Sequence, residues 1–253
     1  MASWPEALFL VRHGESSGNV ARDEAEAGGY EIIYIGTRDV DVPLSEMGRR
    51  QACALGRWLA RQPEHDRPTT ILSSPYVRAQ QTAGEAFAAA GGRDDEVERL
   101  LDERLREREF GVLDRLTRSG LVAREPQQAE LRAFLGKFYH RPPGGESWAD
   151  VGLRVRTVID MLGREFAGER VLISTHQVVV LMFRYVLEAM TEAEVLGVSR
   201  AEPVAHCSVT TYRRDPSAGR RGGMVLEAYN LVEPLDDGDE PVTKDEDATA
   251  AAS

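Results

Sequence analysis

Leu8-Phe9-Leu10-Val11-Arg12-His13-Gly14-Glu15-Ser16 is an apolar run that stops abruptly at an Arg-His-Gly turn. Continuous apolar residues bounded by a glycine read as a strand covered on both faces, the pattern of a parallel sheet between helical layers. The strand carries its cation and imidazole at its carboxyl end, where ligands bind in open α/β sheets. A second apolar run, Arg170-Val171-Leu172-Ile173-Ser174-Thr175, ends the same way in His176-Gln177. Two strands that each deliver a histidine to one crevice point to chemistry rather than to packing alone.

Working outward, strand-like segments at 7–12, 69–73, 97–101, 170–175, 207–213 and 224–229 alternate with helical patterns. Ser45 is a good N-cap for a helix over 45–62, with Ala52, Leu55 and Leu59 on one face and Cys53 in its core. Ser74-Pro75 reads as a cap followed by proline at the first helical position, with Ala79, Ala83, Ala86 and Phe87 buried. Ser147-Trp148-Ala149-Asp150 resembles a capping box and opens a helix carrying Val151, Val155, Val158, Leu162 and Phe166. Residues 178–187 are apolar nearly all round and predict a buried helix. The alternation predicts an α/β fold, a three-layer α/β/α sandwich around a mostly parallel central sheet, with 207–213 and 224–229 as a late hairpin. Residues 20–42 and 112–145 read as irregular excursions over the crevice, where specificity resides.

The chain has 253 residues and a net charge of −11. Residues 233–253 hold eight acids and one lysine, so −7 of that charge sits in a segment with little to bury. This divides the chain into a catalytic domain over 1–232 and an acidic C-terminal tail over 233–253 that is expected to be disordered. The acidic balance argues against a nucleic-acid partner, since phosphate backbones need a basic surface. No apolar run reaches the roughly 18–20 residues that span a bilayer, and the first residues lack the pattern of a signal peptide. Cys53 and Cys207 form neither a disulfide framework nor a zinc spacing. A cytoplasmic enzyme with no membrane partner is the simplest expectation, its oligomeric state left open.

Four segments carry a resemblance. They are Arg12-His13-Gly14-Glu15-Ser16 with Asn19; Ser73-Ser74-Pro75-Tyr76-Val77-Arg78-Ala79-Gln80-Gln81-Thr82-Ala83; Leu105-Arg106-Glu107-Arg108-Glu109-Phe110-Gly111; and Ser174-Thr175-His176-Gln177. Together and in this order they resemble the histidine phosphatase superfamily, which includes cofactor-dependent phosphoglycerate mutases and fructose-2,6-bisphosphatases. The resemblance implies a phosphoglycerate mutase-like fold and catalytic roles for His13, Glu107, His176, Arg12 and Arg78. It also implies substrate contact by Arg12, Ser16, Asn19, Arg78, His176 and Gln177, with no cofactor and no metal.

The chemistry fits those residue types. A phosphoryl group in transfer spreads negative charge over three oxygens, so catalysis is mostly positioning and charge stabilisation. Arginines, imidazoles and helix N-termini can supply that stabilisation. His13 is the expected nucleophile, through a phosphohistidine. Glu107 is the expected acid for the leaving alkoxide, with Glu103 and Glu109 as rivals in the same acid-rich segment. Ser16 and Asn19 read equally well as helix caps, Glu146-Ser147 as a cap, and His65, His140 and His206 belong to no motif. Tyr30, Tyr34, Arg22, Arg38, Arg108 and Arg141 are the candidates for recognising the rest of the substrate.

The resemblance leaves the reaction open. Gln177 stands where mutases carry glycine, and 112–145 holds no adjacent arginine pair, whereas Glu107-Arg108 matches the mutase pattern. His176-Gln177 and the segment Tyr139 to Ser147 look like the bisphosphatase branch. The expected activity is a phosphomonoesterase acting on a small phosphorylated metabolite. The alternatives are a mutase and a catalytically weak member that binds a phosphorylated ligand or a protein partner.

Overall fold

A computed structural model of the chain describes residues 4–92, 97–219 and 222–244. The opening apolar run forms strand β1 (Ala7–Arg12), buried at every position. Helices α1 (Ser17–Ala27) and α2 (Glu46–Arg61) follow, then β2 (Thr70–Ser73), α3 (Val77–Ala89) and β3 (Glu98–Leu101). Next come α4 (Arg118–Arg124), α5 (Pro126–Tyr139), α6 (Trp148–Glu165), β4 (Arg170–Thr175), α7 (Gln177–Leu187) and α8 (Glu192–Ala201). Strands β5 (Val209–Asp215) and β6 (Gly223–Leu231) precede a last helical turn, α9 (Glu233–Asp236).

The sheet order is β3-β2-β4-β1-β5-β6. The first four strands are parallel, and β5 and β6 add an antiparallel hairpin beside β1. The period of two along β1 separates two cores. Leu8 and Leu10 pack with α6 and α7 through Val151, Val155, Val179 and Phe183. Phe9 and Val11 pack on the opposite face with Leu55, Trp58, Ala83 and Phe87 of α2 and α3. Each fully buried leucine or valine of β1 contributes roughly 1.5–3 kcal/mol. The sandwich, the mostly parallel sheet and the late hairpin all match expectation.

Three expectations need correction. The helix expected to begin at Pro75 begins at Val77, because the Ser74 hydroxyl accepts the Tyr76 amide (3.2 Å) in a turn. The excursions at 20–42 and 112–145 contain helix: α1 runs to Ala27, and α4 and α5 fill much of 118–139. These helices bury few residues, only Gly120 and Leu121 in α4 and Arg132 and Phe138 in α5, so no apolar stripe advertises them. The acidic segment is docked as far as it is described: Pro234 and Leu235 are buried, Asp237 pairs with Arg61 (2.6 Å) and Glu240 with Arg50 (3.1 Å). Arginines of α2 offset acids that in isolation read as a solvated tail. The remainder of that segment, 245–253, lies outside the described residues.

Candidate active site

Strand register builds the centre of the site. Arg12 of β1 lies opposite Thr175 of β4, and the His13 amide donates to the Thr175 carbonyl (2.8 Å), so His13 and His176 leave adjacent strands side by side. Their ring centroids are 5.1 Å apart. On the far side of β4, the Ser74 amide donates to Ser174 O (3.0 Å), which places Ser74 Oγ 2.9 Å from His176 Nε2.

The turn after β1 demands glycine. A Cβ on Gly14 would lie 2.6 Å from the Gly48 carbonyl oxygen, and one on Gly48 would lie 1.9 Å from Glu15 O. This backbone contact seats the first turn of α2 against Gly14-Glu15. The Gly14 amide donates to Thr82 Oγ1 (3.0 Å) and the Glu15 amide to Gln51 Oε1 (3.0 Å).

His13 Nδ1 lies 2.7 Å from the carbonyl oxygen of its neighbour Gly14, which can only accept, so Nδ1 carries the proton. Burial, then the charges of Arg78 and Arg12, hold the His13 pKa well below the ordinary value for histidine. The ring is therefore neutral, and Nε2 has a lone pair for attack. The same causes, burial first and Arg78 next, hold His176 well below its ordinary value.

The cations come from different elements. Arg12 donates to the Gln177 side-chain oxygen (3.0 Å) and to Val204 O (2.6 Å). Arg78, on the first turn of α3, donates to both carboxylate oxygens of Asp39 (3.0 and 3.3 Å), and its guanidinium lies 4.9 Å from the Tyr76 ring centre. Glu107 Oε2 is 3.6 Å from His176 Nδ1, and Oε1 accepts the Arg108 amide (2.7 Å). Its rivals face elsewhere: Glu109 accepts the Tyr76 hydroxyl (3.0 Å), and Glu103 begins a 3-10 turn. Glu146 is more than a neighbour of the Ser147 cap. It binds Arg106 (2.7 Å) and Arg154 (3.0 Å), and Arg154 also donates to Glu107 O (3.2 Å), which fixes the acid-bearing segment.

Ser16 and Asn19 do two jobs at once: they form the capping box of α1 and line the cleft. The cleft has a volume of about 940 Å³, its opening to solvent included. Arg12, His13, Arg78, Glu107 and Gln177 also line it, while His176 is buried behind them. Among the recognition candidates, Arg22 lines the cleft. Tyr30, Tyr34, Arg38, Arg108 and Arg141 are not part of its wall. Arg38 pairs with Asp41 and Arg141 with Asp150 at the surface, and Arg108 is buried over Phe110. His65 is exposed beside Asp66, His140 is buried against Gln128, and Cys53 is half-buried. His206 lies 5.7 Å from the His13 ring and 2.9 Å from Thr243 Oγ1.

Sequence reasoning missed Asp39, Asp114 and Leu113, all on the cleft wall, and quoted Phe110 in a motif without placing it there. Tyr76 sat within a quoted motif without being given a role. No signal in one sequence marks a lone acid in a loop as the partner of an arginine on a distant helix. His13, Glu107 and His176 present ligand-type atoms within 4.8 Å of one another, the geometry of a metal trio. The flanking guanidiniums of Arg12 and Arg78 repel a cation there and favour an anion. Among the described residues, no helix is long and apolar enough to cross a membrane.

Comparison with known proteins places this geometry in context. Residues 8–221 match the sequence profile of the histidine phosphatase superfamily (branch 1). A protein of Methylobacterium radiotolerans described as a 2,3-bisphosphoglycerate-dependent phosphoglycerate mutase is 32% identical over 225 residues, covering 84% of this chain and 98% of that protein. The solved structure of Bacillus stearothermophilus YhfR superposes with a TM-score of 0.68 at 27% identity, covering 90% of this chain and 98% of that one. A mycobacterial glucosyl-3-phosphoglycerate phosphatase complexed with VO3 shares the fold, with a TM-score of 0.66 at 24% identity over 90% of this chain and all of that one.

Proposed function

The chain belongs to the histidine phosphatase superfamily (branch 1), and from that membership we propose that it is a phosphomonoesterase that hydrolyses a small phosphorylated metabolite through a phosphohistidine. The observation that carries this reading is the neutral His13 ring, its Nδ1 proton committed to Gly14 O, beside His176 and two arginines.

His13 Nε2 attacks phosphorus, and the phosphorus–oxygen bond to the alcohol breaks. Arg12, Arg78 and His176 face the charge on the equatorial oxygens. Glu107 gives its proton to the leaving alkoxide. In the second half-reaction water attacks phosphorus, Glu107 takes the proton, and the phosphorus–nitrogen bond breaks to return His13 and inorganic phosphate. The proposal assigns direct substrate contact to Ser16, Asn19 and Gln177 as well. The cytoplasm, where free thiols such as Cys53 and Cys207 stay reduced, suits the protein.

Phosphoglycerate mutase activity is the second reading, favoured by the relatives of that name at 32% identity. Gln177 after the second histidine and the absence of an adjacent arginine pair in 112–145 support hydrolysis instead. The test is turnover of p-nitrophenyl phosphate with chelator present, together with acid-labile phosphoryl labelling of the protein. Both are expected in the wild type and absent in His13→Ala. Interconversion of 3- and 2-phosphoglycerate faster than phosphate release would replace hydrolysis by the mutase reading.

A further inference from the structure

The two excursions from the sheet are stitched into one wall. Ile32 and Leu116 form an antiparallel bridge, the Ile33 amide donates to Arg115 O (2.8 Å), and the Thr117 amide to Glu31 O (3.1 Å). This wall turns Ile33, Ile35, Leu113 and Leu116 toward the cleft, and Phe110 completes an apolar lining beside the phosphoryl-handling residues. An apolar surface built from both excursions matches an apolar body on the substrate.

Charge gives the second constraint. Four arginines line the cleft: Arg12, Arg22, Arg78 and Arg115. Against them stand Asp39, Asp114 and Glu107, and the mechanism proposed above has Glu107 enter the first step carrying its proton. The surplus of two positive charges is matched by one phosphomonoester dianion. A carboxylate or a second phosphate on the substrate body has no remaining cation to offset it, and Asp39 and Asp114 repel it. The crowding is already felt: burial and the charge of Asp39 raise the Asp114 carboxyl above its ordinary value.

Resting on the phosphatase reading above, we infer that the cleft selects phosphate monoesters of uncharged, largely apolar alcohols and discriminates against carboxylated or doubly phosphorylated ones. Phenyl phosphate and 4-carboxyphenyl phosphate test this, since the two leaving groups are similar in intrinsic reactivity and differ in one charge. Phosphate release from the full chain is expected to give a kcat/KM at least about tenfold higher for phenyl phosphate, mainly through KM. Asp114→Asn is expected to narrow that gap by raising turnover of the carboxylated ester, and Ile35→Ser to narrow it by raising the KM for phenyl phosphate. Equal or better turnover of the carboxylated ester overturns the substrate class and leaves the phosphatase reading standing. Release from neither ester, with no acid-labile phosphoryl group on the protein, overturns the phosphatase reading itself.

Discussion

At the scale of single residues, the site works by keeping imidazoles neutral among cations. Protonating His13 or His176 would bury a charge beside Arg12 and Arg78, so the folded protein resists it. The unfolded chain binds those protons near the ordinary histidine value of about 6.5 and the folded chain only at much lower pH. Stability is thus fully present above about pH 6.5 and falls as the pH drops below it, by up to about 1.4 kcal/mol per pH unit for each histidine. Urea midpoints measured from pH 7.5 to 5 should fall accordingly, and less steeply in His176→Asn. Glu107 makes a different prediction. If it protonates the leaving group, Glu107→Gln should lower kcat for alkyl phosphates by about 10²–10⁴-fold while sparing p-nitrophenyl phosphate, whose phenolate leaves without a proton. Equal losses on both substrates would remove Glu107 from the acid role.

Elements act by bringing backbone to backbone. The contact between Gly48 of α2 and Gly14-Glu15 leaves no room for a side chain. Gly48→Ala gains helix propensity worth roughly 1 kcal/mol and loses more by driving a methyl group into Glu15 O. The expected net result is a destabilisation of about 1–3 kcal/mol with a fall in kcat, because the displaced turn carries His13. Chemical denaturation and turnover on the same sample check both. The short helices α4 and α5 show the limit of pattern reading at this scale. Their sequences lack a continuous apolar stripe; α4 takes its place from the contacts of Arg115, Thr117 and Arg124 with 31–33, and α5 from Phe138 in the core beside α6 and Lys137 over the Trp148 ring. In contrast α2 and α6 bury whole faces announced by their caps and periodicity, and α7 was announced by a run apolar nearly all round.

In the whole molecule, the chain closes on itself behind the site. Leu235 of α9 is fully buried with Leu44, Ala52, Ala54 and Cys207. Beyond it, Thr243 Oγ1 meets both His206 Nδ1 (2.9 Å) and Gln51 Nε2 (2.9 Å). Gln51 in turn accepts the Glu15 amide, so the acidic segment is joined to the turn that carries His13. Leu235→Ala should cost about 2–5 kcal/mol in urea unfolding and speed thiol labelling of Cys207 in the native state. Unchanged stability and labelling would mean that the segment does not dock in solution.

The sequence by itself determined the strands and the residues proposed to carry the chemistry. His13, His176, Arg12 and Arg78 each sit at an element boundary that local pattern marks, because burial and turn chemistry are properties of neighbouring residues, whereas Glu107 lies in coil and was picked out by the motif resemblance. Tertiary structure alone decided the rest. Only the β1–β4 register sets two imidazoles side by side, only folding brings Asp39 to Arg78 and Arg50 to Glu240, and only the joined excursions make an apolar wall. Coulombic and packing partners are chosen by distance in space, and separation along the chain carries almost no record of it.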